Sequence, residues 1–176
     1  METRNLAELY DLPTLDWAPI AARLERGYSM APGTGGPDRH SAWLATINAD
    51  GSPHVTGIGA QWFDGTFWFE TGETSRKGRN VARDPRCSLS IATNEFDLVY
   101  EGDAHKVTDP DAVAAIAKEF NDGGWPCRVD DSGQALTADF SAPSAGPPPW
   151  HVYRVAPRAA TVLQVAEPAG ATHWKF

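Results

Sequence analysis

The sequence predicts a small, mainly β (α+β) domain: a barrel of antiparallel strands that carries a few short helices. Three observations lead there. Short runs rich in aromatic and β-branched residues, AWLATI, PHVTGIGAQWF and TFWFET, are separated by Asp50-Gly51 and Asp64-Gly65, dipeptides that favour hairpin turns. Two further runs follow. Cys87, Leu89 and Ile91 alternate with Ser88, Ser90 and Ala92 up to Thr93, and Phe96 to Val107 reads as one long strand. Closing five such strands around one short helix removes the exposed edges that an open sheet would leave.

With 176 residues, 41% apolar and 22% charged, the chain reads as a single domain over 1–176, in which 1–39 form a helix and loop and 40–176 the barrel. A formal net charge of −8 excludes broad contact with nucleic acid or an anionic membrane, because either needs an extended basic face. Cys87 and Cys127 are too few for a disulfide framework, and no run approaches the roughly 18 apolar residues of a membrane span. The opening METRNLAELYD has no apolar signal core, so a reduced, cytoplasmic protein is expected.

Taken in order, a first helix is expected over Trp17 to Arg26, capped by Asp16 with Ile20 and Leu24 on one face, followed by a loop at Ala31 to Pro37. That glycine-rich loop lacks the Gly-Lys-Ser/Thr of a phosphate loop. After three strands, Thr74 is placed to cap a second helix that stops before Asp84-Pro85. A third helix begins at Asp109-Pro110 and carries Val113, Ile116, Ala117 and Phe120 as one apolar stripe, a structural lid. Asn121 to Pro149 is irregular apart from Ala135 to Phe140. Trp150 to Val155, Ala159 to Val165 and the tail Ala171 to Phe176 then resume strand character.

Function is legible at the second helix. Strand Thr66–Thr71 places Phe67, Phe69 and Thr71 on one face and Trp68 and Glu70 on the other, and ends at Gly72. The helix start that follows carries Ser75, Arg76 and Lys77, and a helix N-terminus offers unpaired N–H groups and the positive end of its dipole. Five of the 15 basic side chains, Arg76, Lys77, Arg79, Arg83 and Arg86, lie within eleven residues. A solvated basic face is the plainer explanation of such a run; its position directly after a strand points instead to a phosphate-sized anion. His40, His54, His105, His151 and His173 stand on five separate elements without metal-ligand spacing, and no serine sits in a nucleophile elbow. A barrel with one anion site and seven tryptophans suits a planar ligand with a phosphorylated arm, whose chemistry belongs to the cofactor.

Phe69-Glu-Thr71 followed by Ser75-Arg76-Lys77-Gly78 resembles the phosphate-binding segment of the pyridoxamine 5′-phosphate oxidase-like split β-barrel flavoproteins. LATINADGSPHV, GWPCRV, SAPSAGPPPWHVYRV and ATHWKF are together similar to the flavin/deazaflavin oxidoreductase branch that uses coenzyme F420, over about His40 to Phe176. The resemblance implies a homodimer of split barrels with two cofactor sites at the subunit interface. It implies phosphate contacts from Thr71, Ser75, Arg76 and Lys77, with Asn80 one turn further on, and a ring facing the backbone of Thr56, Gly57 and Ile58. The family tail more often reads Thr-Arg-Trp-Arg-Phe; here His173 and Lys175 replace both arginines, and the C-terminal arginine motif of true pyridoxamine oxidases is absent.

The expectation is therefore an F420-dependent reductase that passes hydride to a planar or conjugated small molecule, with FMN as the alternative cofactor. A non-enzymatic flavin or haem carrier is the alternative of another class. Arg39, Arg79 and Arg83 are placed to meet a longer anionic tail, and Tyr153 and His54 are the candidate proton donors. Trp174 and Lys175 are expected to complete the partner subunit's cofactor site, the simpler alternative being that Trp174 and Phe176 pin the last strand to their own barrel.

Overall fold

The computed structural model describes residues 2–28, 41–140, 145–164 and 166–176; the loop at Ala31 to Pro37, Arg39 and His40 lie outside them. Six strands close the barrel: β2 (Ser41–Ile47), β3 (Pro53–Phe63), β4 (Thr66–Thr71), β5 (Arg86–Ala92), β6 (Phe96–Val107) and β9 (His151–Gln164). Their order is β9-β4-β3-β2-β5-β6 and back to β9, antiparallel throughout. Outside the ring, β10 (Gly170–Lys175) pairs with β9 and β1 (Glu2–Asn5) with β10. A separate ribbon joins β7 (Arg128–Val129) to β8 (Leu136–Thr137).

The Asp64-Gly65 turn behaves as its sequence demands. Both residues take positive φ, 49° and 71°, which matches the twist of the β3–β4 hairpin. Helix α1 (Trp17–Glu25) buries Ile20 and Leu24 against the barrel. Its Trp17 ring meets those of Trp62, Trp174 and Phe176 at 6.3, 5.4 and 5.2 Å. Helix α2 (Arg76–Arg83) caps on Ser75, one residue later than the Thr74 expected. Helix α3 (Pro110–Asp122) caps on Asp109 and buries the predicted stripe Val113, Ile116, Ala117 and Phe120.

Two cores result. One fills the barrel with Leu44, Phe67, Phe69, Leu89, Leu98, Tyr100, Val155 and Trp174; the other lies between the outer wall and α3, where Trp68, Trp150 and Val152 meet the α3 stripe. Trp125 and Phe140 from the irregular segment complete the second cluster, each with its ring centroid within 6.2 Å of another aromatic ring. The described part of that segment therefore packs as a cover.

The structure corrects the sequence reading at the ends of the barrel. The strand character expected at Trp150 to Val155 and Ala159 to Val165 belongs, among the described residues, to one 14-residue strand, β9 (His151–Gln164), not two strands. Pro157 suggests a break, but it sits at a bulge, opposite Gly102, where the pairing register shifts. A Cβ on Gly102 would stand 2.3 Å from the Ala156 carbonyl oxygen, so only glycine admits the close approach. Strand β1 was not foreseen; its polar ETRN has no pattern and exists because β10 offers it an edge.

Trp174 is only 1% exposed, inside its own barrel, as in the simpler reading of the tail. Replacing Trp174 by alanine should cost about 3–5 kcal/mol of unfolding free energy. Deleting residues 171–176 should go further, removing both the tryptophan and the strand between β1 and β9. Chemical denaturation tests both: a deletion variant with the wild-type midpoint would show that the tail only decorates the fold.

Candidate cofactor site

β4 ends at Thr71 and α2 begins at Arg76 with Ser75 as its cap, so Gly72-Glu73-Thr74 makes the whole reversal. Added Cβ atoms would lie 2.7 Å from the Ala145 carbonyl oxygen at Gly72 and 2.3 Å from the Gly72 carbonyl oxygen at Gly78. This tight packing draws the helix start up against the strand end. The Ser75 hydroxyl accepts from the Gly78 amide at 3.0 Å and lies 2.7 Å from the Thr71 hydroxyl. Two hydroxyls thus stand together at the positive end of α2.

The cations divide by burial. Arg76 is exposed, and its guanidinium has no hydrogen-bond or ion-pair partner among the described residues. Arg79 donates to the Thr74 carbonyl and Arg83 to the Ile47 carbonyl, fixing both guanidinium groups along the helix. Arg76, Arg79 and Arg83, with Asn48, Asp50 and Asn80, line a groove of about 560 Å³. Lys77 is 2% exposed, buried although its neighbour Arg76 meets solvent. The reason lies in helix geometry, since the second residue of α2 faces the protein when the first faces solvent.

Asn80 is also buried, and its amide donates to the Thr46 hydroxyl at 3.0 Å and the Asn48 side-chain oxygen at 3.1 Å. It fastens α2 to β2. On β3, Ile58 points into the barrel core, Thr56 is half-buried, and Gly57 lies on the outer face beside Trp43, its partner in the β2–β3 register. Gly59 is open on that face, and an added Cβ there would meet nothing within 4 Å. Lys175 is at the far edge of β10, 3.4 Å from Glu2. The structure therefore brings together Thr71, Ser75, Arg76, Lys77 and Asn80, and leaves Trp174 and Lys175 outside the group.

Of the two candidate donors, Tyr153 is a core residue stacked on Phe69 at 5.2 Å, and burial raises its phenol above the usual range. His54 is half-buried. Its imidazole is pushed below the usual histidine value by burial and by the charges of Arg76 and Lys77, so it is neutral at pH 7 and faces the cationic site.

Three features escaped the sequence reading. Trp43 is 54% exposed, outward between the inward Ala42 and Leu44; the alternation of AWLATI carried that signal. Glu73, in the turn, binds Lys106 at 2.6 Å and His151 at 3.1 Å, a cluster no local motif announces. Glu70 is buried, and burial pushes its carboxyl up to about 8, the Lys77 ammonium opposing the rise. Paired hydroxyls, a helix N-terminus and an exposed guanidinium fit a phosphate. A strand face without side chains at Gly57 and Gly59, next to Trp43, fits a flat ring.

The profile of the family described as pyridoxamine 5′-phosphate oxidase matches residues 37–162. Pyridoxine/pyridoxamine 5′-phosphate oxidase from Burkholderia multivorans is 30% identical over 176 residues, covering 87% of this chain and 82% of that protein. The enzyme of the same name from Cupriavidus necator is 27% identical, with 88% and 82% covered. Among solved structures, a pyridoxamine 5′-phosphate oxidase-related, FMN-binding protein of Nostoc punctiforme superposes with a TM-score of 0.59 at 17% identity, over 93% of each chain. The putative pyridoxamine 5′-phosphate oxidase of Listeria innocua gives 0.55 at 17%, over 83% of this chain and 96% of that one. The barrel, the strand-to-helix turn and the matched sequence agree: the chain belongs to the pyridoxamine 5′-phosphate oxidase family of flavin-type oxidoreductases.

Proposed function

We propose that this chain is a coenzyme F420-dependent reductase, acting on a planar or conjugated small molecule and working as a homodimer. The observation that carries the choice of cofactor is the arginine-lined groove. Thr71, Ser75 and Arg76 suffice for one phosphate, but Arg79 and Arg83 continue the positive lining along α2, as a longer anionic arm requires. When bound, the deazaflavin ring supplies hydride chemistry; the protein binds, orients and excludes water. Gly57 and Gly59 let the ring approach the β3 backbone, and Trp43 borders it.

The outer face of the barrel supports the dimer. Trp43, Val55, Val99 and Leu163 are exposed on β2, β3, β6 and β9, and register places Trp43, Ser90 and Val99 in one row across three strands. Trp43 and Val99 flank Ser90 in that row with exposed apolar side chains. A second copy seated there would put the ring platform at the subunit interface.

FMN is the second reading, and its support is specific: the Nostoc neighbour that spans 93% of this chain is named as FMN-binding. The cradle at Ser75 serves a ribityl phosphate equally.

Titrating purified protein with F420 and with FMN under one set of conditions decides between the cofactors; F420 should bind at least tenfold more tightly, and a clear preference for FMN would reverse the assignment. Arg76→Ala removes charged hydrogen bonds worth about 1.5–3 kcal/mol each. It should weaken binding tenfold or more with the unfolding midpoint unchanged, and wild-type affinity in this variant would remove the cradle from the site. His54→Ala should retain single-turnover reduction to within about tenfold, since the ring carries the electrons. Loss by several orders of magnitude with cofactor bound would make His54 a catalytic residue.

A further inference from the structure

Glu70 is a buried feature of the site that the binding of an anion does not explain. Glu70 directly precedes Thr71 on β4, where a carboxylate opposes a phosphate ligand, and its Oε2 is buried with no hydrogen-bond partner. It cannot move to water. β4 is buried along its whole length, Trp68 precedes Glu70 on the same outer face, and the α3 cluster closes over that face.

Resting on the reading of the site given above, we propose that Glu70 and Lys77 form a buried proton-holding pair beneath the cradle, and that the proton on Glu70 sets how strongly the cradle holds a phosphate-bearing cofactor. With the proton in place the pair carries the single positive charge of Lys77. When Glu70 releases its proton to solvent, the pair becomes neutral and its attraction for the anion falls.

The surroundings single out Glu70 as the group that changes. From α2 it faces Lys77, whose ammonium burial lowers and Glu70 raises. From the segment after α3 it faces Cys127, whose thiol is pushed up to about 11, mainly by burial. On β9, Val152 is its register partner, and the neighbouring His151 is tied to Glu73 within reach of Lys106 and Asp130. The His151 imidazole is lowered, chiefly by burial, and so is that of His54 near Arg76 and Lys77; neither gains or loses a proton above pH 7. Between pH 7.5 and 9 a cofactor phosphate is already fully ionised, so a change of affinity over this range that Glu70→Gln abolishes belongs to the carboxyl, held near 8.

The test measures dissociation constants for FMN and for F420 from pH 7.5 to 9 in the full chain and in Glu70→Gln, which keeps the size of the side chain and discards its proton equilibrium. Wild-type affinity should fall about fivefold to tenfold across this range, and the variant should be nearly flat. A second readout needs no cofactor. A carboxyl raised from 4.5 to about 8 on folding makes the fold hold a proton that the unfolded chain releases. Stability from this group is thus full below pH 4.5 and is lost as pH rises to about 8, a slope that Glu70→Gln should remove from the thermal midpoint. Equal pH profiles of binding in the two proteins overturn the inference and leave the site standing. Failure of wild type to bind either cofactor at any pH overturns both.

Discussion

The burial of β4 on both faces is the constraint on which the site depends. Phe67 and Phe69 are locked into the barrel while Trp68 and Glu70 are locked under α3 and the aromatic cover, so the strand cannot slip without moving one set into the other's place. Its end at Thr71 is thereby fixed in space. The turn that follows inherits that position, and the glycines at 72 and 78 convert it into a helix start within hydrogen-bonding distance of the strand. A loop held only at its ends would offer the same hydroxyls without the same geometry.

The barrel was largely legible because its strands alternate and its hairpins announce themselves. Asp64-Gly65 takes the positive φ values its residues favour, and the α3 stripe buries as its 3.6-residue spacing requires. What stayed hidden depends on contacts distant in sequence. Lys77 and Arg76 read alike in a row of basic residues, and only the docking of α2 against β2 through Asn80 sends one inward and leaves the other in solvent. Strand β9 hid for a different reason: Pro157 is a reliable breaker except at a bulge, and the bulge is made by Gly102, more than fifty residues earlier. Trp174 had the composition of a ligand contact and the setting of a core residue. Sequence carries the first and the fold decides the second.

The charge pattern also gains meaning from the fold. In a chain of formal net charge −8, Arg76, Arg79 and Arg83 set along one groove concentrate positive potential there against a negative background. Salt bridges elsewhere, such as Arg23 with Glu95 and Lys118 with Asp122, are exposed pairs of small energetic weight. The arginines of α2 are different because two of them are tied to backbone carbonyls and so stay where the groove needs them.

Strand β10 lies between β1 and β9, and Glu2 stands opposite Lys175 in register. During synthesis, then, β1 must wait as an unpaired polar segment until residues 170–175 have left the ribosome, whereas the meander β2–β3–β4 can assemble from neighbours as it emerges. Sheet edges that await a distant partner are the slow and adhesive stage of β folding. The polar composition of ETRN keeps that waiting segment soluble. The same adjacency brings both chain ends to one margin of the sheet, so that a short linker joining them, with new ends opened at an exposed hairpin such as Asp50-Gly51, would preserve every strand pairing of the barrel.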